Sequence, residues 1–271
     1  MGRLIAGVSC PQALLGAVEL QVAESCGLAP RRCYPARVAT GILGQVPVPR
    51  AILFDHGLVI CYPDGKRLAR TLERKLSLVV DPAAATEGYS RVIHLRDREA
   101  LPDFSDQWFW TSWCLELGVE PGRALAVQRV VAQLDADPER FWTVLEPGVS
   151  QVLTTLRSHG IRMGIISNTD GKLAEDLREK GLADYFDVAV DSEIVGLRKP
   201  DPRIFTLALE RLGERPADCW FVGDDMHLDI APAEELGFAS AIHFNRLGLH
   251  NPSVPRVQIG ALRDLVELVA Q

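Results

Sequence analysis

Lysine is scarce in this chain, with five Lys against 24 Arg in 271 residues. A lysine inside a patterned stretch is therefore informative, and Lys199 is one. No Cys-x-x-Cys pair occurs among Cys10, Cys26, Cys33, Cys61, Cys114 and Cys219, and no histidine lies among the first three. That spacing argues against a zinc site and fits reduced thiols in a cytoplasmic protein. No apolar run reaches the ~18 residues that a membrane span needs. The stretch from Met1 to Leu20 carries Arg3 and Glu19, a poor secretory signal. Positive charge is not in excess either: the net charge is −7, which leaves no basic footprint for nucleic acid. There is no internal repeat and no low-complexity tract.

What is present is a globular composition, 47% hydrophobic and 24% charged, long enough for one large domain or two small ones. Residues 1–48 stand apart as an N-terminal extension. Pro11 to Ser25 reads as an amphipathic helix, with Leu14, Val18 and Val22 on one face and Gly27 as its stop. A Pro/Arg-rich stretch follows, ending in Val46-Pro47-Val48-Pro49-Arg50. The segment is too short to hold its own core. Three readings stay open: it packs on the main body, it forms a partner surface, or the assigned start lies upstream of the true one.

From Ala51 the pattern alternates strand and helix. Ala51–Phe54 is a short apolar run of the kind that forms a buried parallel strand. Pro147-Gly148 precedes a helix with Val149, Leu153 and Leu156 on one face. Strands are expected at 162–167, 188–190, 219–222 and 239–244. Helices are expected at 172–180, at 202–212 with proline at its start, and at 228–236. Such alternation predicts an α/β fold, a parallel sheet covered by helices on both faces, with its site at the carboxyl ends of the strands. Residues 62–145 interrupt the pattern with helices expected at 66–78, 104–117 and 123–134. They also hold Trp108, Trp110, Trp113 and Trp142. The chain thus divides into a core, 49–61 and 146–271, and a helical insertion that falls over the site.

Four motifs sit in one order along the core. Asp55 closes the first apolar run. Ser167-Asn168 closes Met163-Gly164-Ile165-Ile166. Lys199 lies in Gly196-Leu197-Arg198-Lys199-Pro200-Asp201-Pro202. The string Gly223-Asp224-Asp225-Met226-His227-Leu228-Asp229 follows Cys219-Trp220-Phe221-Val222. A carboxylate, a hydroxyl, a lysine and a carboxylate pair can assemble one phosphate and metal site. Taken singly, each has a plainer reading: a turn aspartate, a turn serine, a surface lysine, and an acidic cluster favoured by a helix N-terminus.

In family order and spacing, these motifs resemble the haloacid dehalogenase superfamily of hydrolases, in the branch with a helical cap after the first motif. Lys199-Pro200-Asp201-Pro202-Arg203-Ile204-Phe205 carries most of the likeness. The resemblance covers residues 51 to about 245. It implies a Rossmann-like parallel sheet with an inserted α-helical cap, and a phosphatase needing Mg2+. Asp55 would attack phosphorus and form an aspartyl-phosphate. Ser167 and Asn168 would bind the phosphoryl group, and Lys199 would bind it and stabilise the transition state. Asp55, the backbone carbonyl of Gly57, Asp224 and Asp229 would hold Mg2+, a cation suited by oxygen ligands. Asp225 stands where many relatives have serine. The substrate would be a small phosphorylated metabolite, and oligomeric state is left open.

One position departs from the family pattern. Phosphatases of the superfamily usually carry a second Asp two residues after the nucleophile, and here Asp55-His56-Gly57 puts glycine there. The loss falls on proton transfer, so substrates with good leaving groups are expected, or a proton from His56 or the cap. A side chain one residue beyond a strand-end carboxylate often points away, and His227 reads as non-catalytic. The cap aromatics read first as packing. Rival functions are a 2-haloacid dehalogenase, against which Asp224 and Asp229 argue, and a phosphomutase or phosphonatase. The mutase needs the missing Asp, and the phosphonatase needs a cap lysine, for which Lys66 and Lys75 are available. A catalytically weak, partner-binding protein is the rival of a different class.

Overall fold

The computed structural model describes residues 47–98, 106–137, 141–249 and 257–270. The helix expected at 11–25 and nearly all of the N-terminal extension lie outside the described residues. Strand β1 (Ala51–Phe54) opens the core, and β2 (Cys61–Pro63) follows. Four helices come next: α1 (Gly65–Leu76), α2 (Pro82–Arg98), α3 (Asp106–Glu116) and α4 (Ala124–Asp135). Strand β3 (Trp142–Leu145) leads back to the core through α5 (Val149–Ser158), β4 (Arg162–Ser167), α6 (Leu173–Glu179) and β5 (Val188–Asp191). The one-turn α7 (Ser192–Val195), α8 (Pro202–Leu212), β6 (Cys219–Gly223), α9 (Ala231–Glu235), β7 (Ser240–Phe244), β8 (Val257–Ile259) and α10 (Asp264–Val269) complete it.

The main sheet has the order β5-β4-β1-β6-β7-β8, and every pairing in it is parallel. This is the expected α/β architecture. Strand side chains alternate between faces. Ile52 and Phe54 of β1 join Leu153 and Leu156 of α5 on one side, while Ala51 and Leu53 join Ile204, Phe205 and Ala208 of α8 on the other. Helix α8 begins with Asp201 as cap, accepting from Arg203 N, and ends at Gly213 in the left-handed region at φ 67°.

The β6–α9 connection departs from the single helix expected there. Met226–Ile230 forms a π-helical turn before α9. Asp229 N and Ile230 N both donate to Asp225 O, at 3.0 and 3.2 Å, which widens the turn. Turns of this type gather at functional sites.

An antiparallel ribbon, β2 with β3, frames the insertion. Helices α1 and α2 meet closely at Gly65, where a Cβ would lie 2.1 Å from Pro82 O. Behind them an aromatic cluster fills the insertion. Tyr89 is the hub, with ring centroids 4.9 Å from Phe109, 5.6 Å from Trp113 and 5.5 Å from Trp142. Trp113 is wholly buried. Helix α2 was not foreseen, because Gly88 interrupts it and it lacks a regular apolar stripe. The glycine is needed where it stands: a Cβ there would lie 2.8 Å from the Trp113 indole nitrogen. Among the described residues, no helix is long and apolar enough to cross a membrane.

Candidate active site

Parallel register brings the motifs to one edge of the sheet. Phe54 lies opposite Ile165 on β4 and Val222 on β6. The chain therefore leaves β1 at Asp55, β4 at Ser167 and β6 at Gly223 on the same edge. Asp55 N donates to Val222 O at 2.8 Å, which fixes the start of the first loop. Leu58 in that loop holds a left-handed φ of 60°, a conformation that costs a branched side chain ~1–2 kcal/mol. Gly223 is required by its neighbour, since a Cβ there would lie 2.4 Å from Cβ of Asp229.

Lys199 reaches the centre of this edge. Its Nζ lies 2.6 Å from Asp55 Oδ1 and 2.6 Å from Asp229 Oδ1. Burial pulls its pKa down, but the Asp229 and Asp55 carboxylates outweigh that and raise it, so the ammonium stays charged. Asn168 holds the lysine backbone from both sides: its Oδ1 accepts from Lys199 N at 2.9 Å and its Nδ2 donates to Lys199 O at 3.0 Å. The side-chain amide of Asn168 is thus committed to placing Lys199. The Lys199-Pro200 peptide is cis.

Asp55, Asp224 and Asp229 bring carboxylate oxygens within 4.8 Å of one another. Burial and the Asp55, Asp229 and Asp225 carboxylates push the Asp224 pKa well above the usual carboxylate range. Asp229 is pushed up to about 8 by burial and by Asp55 and Asp225, against the pull of Lys199. One lysine does not neutralise this set. The chemistry of the donors, three oxygen ligands with excess negative charge, fits a hard divalent cation. Asp225 is occupied differently. Its Oδ1 accepts from His227 N and Leu228 N at 2.8 Å each, capping the π turn, and meets Arg96 of α2.

His56 follows Asp55 in sequence but leads into another cluster. Its Nε2 lies 2.9 Å from Asp176 Oδ2 on α6, and Asp176 is also paired with Lys180. Cys61 Sγ lies 3.4 and 3.8 Å from the two ring nitrogens, beside the ring rather than along either lone pair. Burial lowers the His56 pKa, but Cys61 and Asp176 more than reverse this and raise it to about 10. His56 is buried and committed as an ion pair.

Position 57 lies against the ring of Trp142, which a Cβ there would approach to 3.5 Å. A small cleft beside Asp224 is lined by Leu58, Ser90 and His94 of α2, His243, Asn245 and Arg246. Arg246 stacks 4.3 Å above the Tyr62 ring and pairs with Glu146 at 3.5 Å.

Sequence reasoning missed three organisers of the site. Asp191, at the tip of β5, accepts from Gly171 N, Leu173 N and Glu193 N at 2.9 to 3.1 Å, tying the loop after Ser167 to the next strand. An Asp closing an apolar strand run was the available signal. Arg96 and Asp97 of α2 touch the acidic string, and no local pattern marked them.

Comparison with known proteins agrees with this geometry. Residues 107–237 match the haloacid dehalogenase-like hydrolase family. Haloacid dehalogenase-like hydrolase domain-containing protein 3 of Homo sapiens is 31% identical over 197 residues, covering 69% of this chain and 77% of its own. Glyceraldehyde 3-phosphate phosphatase of Methanopyrus kandleri is 25% identical over 230 residues, covering 82% and 97%. Among solved structures, an HAD phosphatase from Thermococcus onnurineus is 25% identical with a TM-score of 0.51, covering 81% of this chain and 97% of its own.

Proposed function

The chain belongs to the haloacid dehalogenase-like hydrolases, and from that premise we propose that it is a Mg2+-dependent hydrolase of a small phosphate monoester. The observation that carries this reading is Lys199 placed 2.6 Å from both Asp55 and Asp229, beside a carboxylate set with excess negative charge. Asp55 attacks phosphorus, the P–O bond to the leaving group breaks, and the leaving group departs as its oxyanion, which takes its proton from solvent. Water then cleaves the aspartyl-phosphate, so that one hard step becomes two. Lys199 balances the growing negative charge on the phosphoryl oxygens. Ser167 donates its hydroxyl to one of them. Asn168 acts through Lys199, whose backbone its side-chain amide holds. Asp55, the Gly57 carbonyl, Asp224 and Asp229 would hold Mg2+, which would supply charge neutralisation for the phosphate.

The helices between β2 and β3 act as a cap over residues 49–61 and 146–271. Ser90 and His94 on α2, with Asn245 and Arg246, give the cleft a polar lining suited to a small phosphorylated metabolite. Relatives whose names state phosphatase activity on glyceraldehyde 3-phosphate and ribulose 1,5-bisphosphate support that substrate class. With His56 committed to Asp176 and Gly57 lacking a carboxyl, good leaving groups, which depend less on a proton donor, are favoured: anomeric and acyl phosphates over alkyl ones.

The test is phosphate release from a panel of phosphorylated metabolites, with and without Mg2+, for the wild type and Asp55→Asn. Metal-dependent release that the variant abolishes is the expected result. Release of chloride from a 2-haloacid without metal would replace this reading with a dehalogenase.

A further inference from the structure

At the last turn of α2, two adjacent residues leave the insertion and close onto the core. Arg96 Nη2 meets Asp225 Oδ1 and lies 2.7 Å from Asp97 Oδ1. Asp97 Oδ2 accepts from Met226 N at 3.0 Å. The side chains of Arg96, Asp97 and Asp225 are 3%, 2% and 6% exposed, so water does not substitute for these contacts. Asp225 relays them inward. The oxygen that meets Arg96 also caps His227 N and Leu228 N, and Asp225 N donates to Asp229 Oδ2 at 3.3 Å. A continuous chain of polar contacts thus runs from α2 to one metal-ligand carboxylate, and Asp224 is the residue directly before Asp225.

We propose that Arg96 is a positioning residue for the metal-binding loop: α2 of the insertion holds Asp224 and Asp229 in the shape that binds the cation. The inference rests on the Mg2+ reading of the site. Two physical effects of Arg96 have opposite signs. As a mere positive charge it repels the cation, and its removal would tighten metal binding. As the group that balances Asp225 and Asp97, it keeps Asp225 capping the π turn. Without it, two buried carboxylates lose their counter-charge, a state costly enough to force rearrangement. The loop is short and both ligands lie within four residues of Asp225 in sequence, so the rearrangement reaches them. Positioning outweighs repulsion.

The experiment is Mn2+ binding to the full chain, read by electron paramagnetic resonance without substrate, for the wild type, Arg96→Met and Arg96→Lys. The dissociation constant is expected to rise at least tenfold in Arg96→Met. It should rise by a smaller factor in Arg96→Lys, which keeps the charge without the planar fork. Thermal unfolding of each metal-free variant runs alongside. A lower melting temperature with an unchanged or tighter dissociation constant would show a purely structural residue and overturn the proposal. Should Arg96→Met fail to fold, wild-type affinity in Arg96→Lys overturns it equally. A wild type that binds no Mn2+ overturns the metal reading itself, and this inference with it.

Discussion

At the strand tips of the core, what is buried is charge: Lys199, Asp225 and Asp229 are 4%, 5% and 0% exposed. In the insertion, what is buried is mostly apolar: aliphatic side chains such as Leu68, Leu72, Val92, Val127 and Val131, against an aromatic cluster of Tyr89, Phe109, Trp110, Trp113 and Trp142 in edge and tilted contacts. The two regions are stabilised differently. Apolar burial in the insertion favours folding without requiring a counter-charge for the groups it buries. Charge burial in the core costs free energy unless each ion is answered, and three carboxylates around one lysine are not fully answered. The proposed chemistry thus falls where buried charge is incompletely answered. The regions meet at Arg96 and Asp97, the point where the insertion does bury charge.

Substitutions sharpen this contrast, since one region should lose activity and the other stability. Lys199→Met should have the largest effect. It removes the cation that bridges Asp55 and Asp229, and turnover of the best substrate should fall about 10²–10³-fold, the scale of losing one preorganised electrostatic contact. Steady-state kinetics at saturating Mg2+ would check this. Retained turnover would mean that Lys199 only balances charge in the metal-free fold. Trp113→Ala should do the reverse. Emptying a fully buried indole costs ~3–5 kcal/mol, read by urea unfolding, while turnover of the protein that remains folded should change little.

Position 57 tests the border between the regions, with a smaller effect. Its Cβ direction has room against Trp142, at an ordinary contact distance of 3.5 Å. Gly57→Asp should therefore fold. If a missing proton donor limits the enzyme, turnover of simple alkyl phosphates should rise by about tenfold or more, within the range that acid–base help supplies. Turnover of acyl phosphates should stay the same. No gain on alkyl phosphates would show that the proton comes from elsewhere.

The same contrast decides what the sequence discloses. Core motifs are legible because a parallel sheet places any strand-end residue on one edge, so Asp55, Ser167 and Asp224 were located by counting apolar runs. Helix α8 was placed to the residue, since Pro202 and Gly213 mark its ends chemically. Helix α2 was missed because tertiary packing, not periodicity, specifies it: Gly88 is there for Trp113 and Gly65 for the α1–α2 approach. The short strand β8 and the ribbon β2–β3 are three or four residues long, below the length at which alternation can be read. Side-chain commitments were also hidden. The partners of Asn168 and His56, Lys199 and Asp176, lie far along the chain, and only the fold pairs them.

The last prediction separates the two kinds of burial by pH. Asp224 and Asp229 have folded pKa values above their unfolded ones, with Asp229 at about 8. A group raised on folding stabilises below its unfolded pKa, and that stability is lost as pH rises through the folded pKa. The metal-free protein should therefore melt at progressively lower temperature between about pH 4, the ordinary carboxylate value, and pH 8. His56 is also raised, to about 10, so its contribution is lost between about pH 6.5 and 10 and points the same way. Mg2+ tells them apart, because it answers the carboxylates and does nothing for His56. Differential scanning calorimetry with and without Mg2+ should show a melting-temperature gain that is small at pH 5 and grows to several degrees at pH 8. A gain independent of pH would mean that the cation binds away from Asp224 and Asp229.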